Sequence, residues 1–466
     1  MNLIRLPRRN ATLALVATLL VLVAACSSGT KASGNAKTAK GTVKVEIDAG
    51  HNEVPFQKEN AALKKMGINL QLVGLPFSGQ YEKIVTELVA NKGAFDLVVF
   101  PPYMIGDFVA KGFLLPLDKY TTQVDPKLSD VLQPFRDPTL KVNGHLYALP
   151  YDGDWHMLYY RSDLFSDPKE KAAFKSKYGY DLAAPTTWKQ YMDIAQFFTR
   201  PPSLYGTAFF GQRGFSYAWW ADIWAGLGGG HWFDNNMNPQ INDAAGVKAL
   251  QMMTVEKTYS PPDVMSYGYE ELRDAFLAGK TAMIVQWGDV GKKANDPSVS
   301  KIRGKVGFST VPQGRTYMPY SRVMAVAAGS GNPAAAYAVA AYMTSPQVSD
   351  RYVADPATGE DIFRYSQLNP SLYTTIPPNQ RAAYVDAARA NLQHGFPELN
   401  IPGAPRYLDA LDLAVNKALT GQMSPAAALN AAAAQWKQIT QQEGTQQQKA
   451  YYQHFVQAFE TAGLKY

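Results

Sequence analysis

Cysteine occurs once in the 466 residues, at position 26, and histidine six times. A single thiol cannot close an intrachain disulfide, so a disulfide scaffold is excluded, and a zinc site built on cysteines with it. The histidines show no HExxH spacing, and the chain has no GxSxG elbow for a serine nucleophile. Charge is also sparse, at 18% of residues against about 25% in an average soluble chain. Asp and Glu are absent from the first 42 residues, where six cations stand: Arg5, Arg8, Arg9, Lys31, Lys37 and Lys40. Those six account for the whole net charge of +6, and the remainder is balanced. A phosphate-binding face has no compositional support, so no nucleic-acid partner is expected. Apolar residues make up 46% and aromatics 12%. Such a chain buries substantial cores, is neither disordered nor a coiled coil, and is long enough for two to three domains.

The N-terminal segment reads as an export signal. Residues 1–10 carry three arginines, and 11–25 are apolar apart from two threonines, ending in small residues before Cys26. That run falls short of the ~20 residues of a membrane span. Val23-Ala24-Ala25-Cys26 resembles the lipobox of bacterial lipoproteins, which implies cleavage after residue 25 and a diacylglycerol anchor on Cys26. Residues 26–42 have no large apolar side chain and read as a flexible tether.

The rest of the chain alternates short apolar runs with helical patterns. Strands are predicted at Val43–Asp48, Ile68–Val73 and Phe95–Phe100, with helices at Pro55–Met66 and Tyr81–Asn91 between them. This βαβαβ order implies a parallel sheet covered by helices. Ligands of such sheets lie beyond the carboxyl ends of the strands, here Ala49–Glu53 and Pro101–Tyr103. Further strands are expected at His156–Arg161, Tyr205–Phe210, Thr281–Trp287, Val306–Val311 and Val323–Ala328. Thr187 and Gln190 form a capping box opening a helix to Phe198, and an aromatic helix runs through Trp219, Trp220 and Trp224 to Gly226–Gly230. Asn332-Pro333, Ser345-Pro346 and Ser424-Pro425 each pair an N-cap with proline at the first helical position, and the last third is mainly helical.

Several segments resemble the extracellular solute-binding proteins of ABC importers, the large family that binds sugars. They are Lys92–Val98, Gly112–Asp118 ("G-x-L-x-P-L"), Leu158–Phe165 ("YY-N/R-x-D-L-F"), Pro185–Trp188 ("P-x-T-W"), and Phe276–Met283 running into Trp287. Ala334–Ser345 and Leu411–Trp436 resemble the closing helices, and the Gln-rich tail after residue 440 departs from the pattern. The resemblance implies a two-lobed periplasmic-binding-protein-like α/β fold with hinge strands and a helical C-terminal region, closing on its ligand by hinge motion. One lobe would be 43–150 completed by 283–328, the other 151–282 completed by 329–466. It further implies a monomer that binds a carbohydrate, does no chemistry on it, and delivers it to the transmembrane subunits of a permease.

A sugar presents apolar C–H faces and a rim of hydroxyls, so its site needs aromatic rings together with carboxylate, amide or guanidinium groups. Trp287 is the foremost ring candidate. Trp220 and Trp224 share a face at i, i+4 and read as core, which leaves Trp219 as a second ring. Gly229, in the Gly228–Gly230 run, would let backbone approach a ligand. Asp154 stands four residues after Pro150, the spacing at which related sugar binders carry a cleft aspartate, with Asp152 or Trp155 as alternatives in register. His51 and Glu53 follow the first strand, and Tyr103 the third. Tyr320 and Arg322 precede a strand crossing between lobes, and Arg364 lies in a "P-x-R-x-S"-like segment, where it would reach the ligand or tie the lobes.

Other signals fail on spacing. Gly279-Lys280-Thr281 has Asp274 where a P-loop needs its first glycine, and Asp234–Asn238 has Pro239 where an EF-hand loop needs glycine. No metal or cofactor is expected. Two further readings stay open: the same fold holding a polyamine, ferric ion or peptide, and a secreted carbohydrate-active enzyme with paired carboxylates.

Overall fold

The run Val43–Ile47 places valine and isoleucine at alternate positions, and its inward side chains are fully buried. It forms the strand Gly41–Asp48 at the heart of a five-stranded sheet. The computed structural model describes residues 34–76, 79–90, 93–319 and 321–464. In that sheet the order is Ile68–Leu75, Gly41–Asp48, Leu97–Phe100, Val323–Val326, Ala148–Pro150. The first three strands are parallel, with Val45 opposite Leu97, and are joined by crossovers through the helices Val54–Lys65 and Gln80–Ala90. Val323–Val326 returns antiparallel between Leu97–Phe100 and Ala148–Pro150.

A second sheet has His156–Arg161 at its centre, flanked antiparallel by Met283–Trp287 and Val306–Ser309. Thr316–Met318 pairs with Gly395–Pro397 in a short parallel ladder. Around these stand the aromatic helix Ser216–Gly226, the helix Ala244–Glu256, and the C-terminal helices Ala404–Leu419, Pro425–Glu443 and Thr445–Thr461. Residues 34–466 form a compact unit by themselves.

Four expectations change. Residues 283–328 do not travel as one piece: Met283–Trp287 and Val306–Ser309 join the second sheet, and Val323–Val326 alone of these strands joins the first. Likewise the Pro333–Thr344 helix packs on the first sheet, so 329–466 divides too. Tyr205–Phe210 makes one bridge, Tyr205 to Thr281, rather than a strand. There Gly206 lies so close to the Ala195 carbonyl that a Cβ would fall 1.7 Å from its oxygen, and its N–H is taken by Tyr259. Thr187 and Gln190 form the predicted capping box and Ser424 caps its helix, whereas the Asn332 and Ser345 side chains make no cap bond.

Candidate functional site

Strand ends deliver the site. Where Gly41–Asp48 stops, Gly50 takes φ 106°, a left-handed conformation suited to glycine, and turns His51 inward. The chain approaches again at Gly359, where a Cβ would stand 2.1 Å from the His51 ring. Between the two sheets this creates a cleft of about 480 Å³, lined by Asp48–Asn52, Asp152, Asp154, Arg322, Gln212, Phe215, Tyr269–Glu271, Trp287 and Gly359. Its size is that of a small-molecule pocket.

One wall is charged. The Arg322 guanidinium grips Asp48 with two bonds, Nε to Oδ1 at 3.0 Å and Nη2 to Oδ2 at 2.9 Å. Its Nη1 stands 3.7 Å from Asp154 Oδ2. Burial alone would raise the Asp48 carboxyl, but the charge and hydrogen bonds of Arg322 outweigh it and hold Asp48 below the usual carboxylate range. Asp154 has only the outer edge of that guanidinium, so burial and the neighbouring Asp152 carboxylate push it well up. Asp152 is raised by burial to about 6, despite accepting the Gly153 and Asp361 N–H groups at 2.7 and 2.6 Å. Burial drives His51 down to about 4, so it is a neutral imidazole at pH 7.

The opposite wall is aromatic. Trp287 is 4% exposed and sits among Phe210 (ring centroids 4.8 Å apart), Tyr269 (5.7 Å) and Phe215 (6.3 Å). Behind it His156 packs edge-on at 4.9 Å and bonds Asp222 at 2.6 Å. The Tyr269 hydroxyl bonds Asp289, and its ring leans on His51 at 4.9 Å. Acidic and guanidinium groups thus face rings across one space, an arrangement that can hold vicinal hydroxyls on one side and C–H faces on the other.

Of the predicted residues, His51, Asp154, Trp287 and Arg322 meet in this cleft. The others stand elsewhere. Trp219 is in the core, its Nε1 donating to Glu256 at 2.7 Å, because every residue from Ser216 to Ala225 is buried and the helix has no free face. Trp220 and Trp224 stack at 4.9 Å in the same core. Trp155 is fully buried against Gly288. Glu53 accepts the Gly50 N–H at 3.1 Å and serves its own turn. Tyr103 lines a separate small cavity with Phe455 and Phe459. Gly229 abuts the Trp224 ring and accepts from Arg315 at 3.1 Å. Arg364 is fully buried and donates to the Lys127 and Pro126 carbonyls at 2.9 and 3.1 Å and to Thr344, tying a loop to a helix. Tyr320 and Cys26 lie outside the described residues. Asp48 was legible as the last residue of a predicted strand; Gln212, Phe215 and Tyr269 carried no local signal.

Glu256 offers a test of the core. Burial raises its carboxyl to about 7, although Trp219, Tyr191 and Thr207 all donate to it. Its folded value lies above its unfolded one, so its stabilisation is full below about pH 4.5 and is lost as pH rises through 7, by about 3 kcal/mol. Melting curves of Glu256→Gln between pH 5 and 8 are expected to fall less steeply than those of the unsubstituted protein. Identical slopes would contradict the assignment.

Comparison with known proteins agrees with this architecture. Residues 49–349 match the family model described as bacterial extracellular solute-binding protein. The chain belongs to that family. This solute-binding protein is 30% identical over 378 residues to the mannitol-binding protein of Pseudomonas aeruginosa, a match covering 75% of this chain and 81% of the relative. Its fold is shared with two ABC-transporter solute-binding proteins. One, from Agrobacterium radiobacter K84 in complex with ribitol, gives TM-score 0.73 at 24% identity, covering 86% of this chain and 99% of that one. The other, from Agrobacterium vitis S4 with bound D-mannitol, gives TM-score 0.72 at 24% identity with the same coverage. The two-lobed α/β fold expected from the sequence is therefore the fold of this protein. Among the described residues no cluster of His, Cys, Asp or Glu is arranged to hold a metal, and no helix is long and apolar enough to cross a membrane.

Proposed function

We propose that this chain captures a polyol or sugar in the cleft between its two sheets and delivers it unchanged to the transmembrane subunits of an ABC importer. The observation that carries the reading is the facing of Asp154, Arg322 and Asp48 against Trp287, Phe215 and Tyr269. Similarity to a mannitol-binding protein supports a polyol as the first ligand to try. In this reading the five-stranded sheet with the Pro333–Thr344 helix forms one lobe, and the three-stranded sheet with the C-terminal helices the other. Segments 151–155, 321–322 and 355–364 run between them. Cys26, released by cleavage after residue 25, would carry a lipid that holds the lobes at the membrane face. No step of catalysis is assigned.

Five carboxylates against one guanidinium in the lining favour a cationic solute, a polyamine, as the second reading. A thermal-shift series on residues 34–466 separates the two. A ligand at 100 times its Kd adds about 2.7 kcal/mol of stability. D-mannitol or ribitol is expected to raise the melting temperature and to be recovered unaltered. A rise with spermidine and none with polyols or sugars would replace the reading; consumption of the ligand would make the protein an enzyme.

A further inference from the structure

The Gln-rich segment after residue 440 lies outside residues 49–349, which the family model matches, and lines no part of the cleft. It forms the helix Thr445–Thr461, which buries Gln448, Tyr452, Phe455 and Phe459, a stripe at helical spacing along one face. That stripe meets two different bodies. Towards the three-stranded sheet, the Tyr452 hydroxyl is bonded to the backbone of Phe233, taking its N–H at 3.0 Å and giving to its carbonyl at 3.1 Å. Gln448 Nε2 donates to the Pro402 carbonyl at 2.8 Å. Phe233 and Pro402 flank the helices that cover that side. Towards the five-stranded sheet, Phe455 and Phe459 share a small cavity with Phe135, Pro138 and Thr139. Asp137–Leu140 packs on the edge strand Ala148–Pro150. One turn along, His454 and Ala458 face Lys141 and Asn143 across another small cavity.

We propose that this helix is a strap across the lobes. Tyr452 and Gln448 fix it to the three-stranded lobe, and Phe455 and Phe459 hold the five-stranded lobe against it. Hinge motion that draws Pro138 and Thr139 away from the helix wets two phenyl rings, which opposes that motion. The unliganded protein is thereby biased towards the arrangement of lobes in which this contact is made. Apparent affinity scales with the fraction of protein already competent to bind, so releasing the strap also changes binding. This inference rests on hinge motion between the lobes and not on the identity of the ligand.

The test is small-angle scattering on residues 34–466 without ligand, beside D-mannitol titration. Two variants remove the contact from opposite sides: Phe455→Ser/Phe459→Ser on the helix, and Thr139→Arg, a wedge on the other lobe that leaves the helix sequence intact. Both are expected to shift the radius of gyration of the unliganded protein in the same direction, and to change the D-mannitol Kd on the order of tenfold. Should the double variant fail to fold, Thr139→Arg decides. Unchanged scattering in a folded variant overturns the strap. If D-mannitol binds none of the proteins, the scattering comparison still decides the matter, because it uses no ligand.

Discussion

Replacing Arg322 by methionine is expected to lower folding stability by about 3–5 kcal/mol at neutral pH and to abolish ligand binding. The guanidinium is 6% exposed and is the cation in contact with both Asp48 and Asp154. Methionine fills much of the volume but leaves the Asp48 carboxylate buried with Asn52 as its remaining side-chain donor, at 2.6 Å. An uncompensated buried charge is far more damaging than the loss of a surface pair. The pH dependence has a definite sign. Without Arg322, the folded carboxyl of Asp48 rises above its unfolded value, so the variant regains stability as pH falls and the group takes up a proton. Melting temperatures of the two proteins should therefore lie closer at pH 5 than at pH 7.5. A constant gap across that range would show that Arg322 acts by packing and not by charge.

The second large effect is at Trp287. Truncation to alanine removes the principal ring of the aromatic wall, and the D-mannitol Kd is expected to rise at least about 100-fold, equivalent to about 2.7 kcal/mol. A cleft tryptophan read from sequence alone suggests a side chain removable at little cost in stability. At 4% exposure, packed on Phe210, Phe215 and His156, it also supports the core, so Trp287→Ala should lose about 3–5 kcal/mol of stability as well. Trp287→Phe separates the two contributions. It keeps an aromatic ring in the cluster, with a smaller fall in melting temperature, yet still loses ligand-facing area and about tenfold in affinity. Isothermal titration of both variants, each measured below its own melting transition, checks this. Unaltered affinity in Trp287→Ala would remove the residue from the site.

The fold was legible in the sequence where burial alone dictates residue type. Leu97–Phe100 is buried throughout and reads LVVF, and Val43, Val45 and Ile47 alternate along a strand whose other face buries Glu46. The site was legible where it hangs on strand ends. His51 follows the first strand, Arg322 leads into a crossing strand, and Trp287 closes the strand that pairs with His156. Elsewhere local logic ran out. A ligand role for Trp219 opposite core Trp220 and Trp224 needs a helix with one open side, and every residue from Ser216 to Ala225 is buried. Strand membership in 283–328 depends on pairing with His156–Arg161, a contact more than a hundred residues distant, which no window of sequence carries. Phe215 precedes the helix Ser216–Gly226 and Tyr269 opens the helix Tyr269–Leu277, and neither position carries a local sign of the cleft, so the aromatic wall emerged from tertiary structure.

The most direct test of the account is isothermal titration of residues 34–466 with D-mannitol, repeated on Asp154→Ala. A cleft receptor for polyols gives one saturable site in the unsubstituted protein and none, or one at least about tenfold weaker, in the variant. Identical isotherms would place the ligand outside this cleft, and no heat with D-mannitol, ribitol or maltose alongside binding of spermidine would contradict the polyol assignment itself.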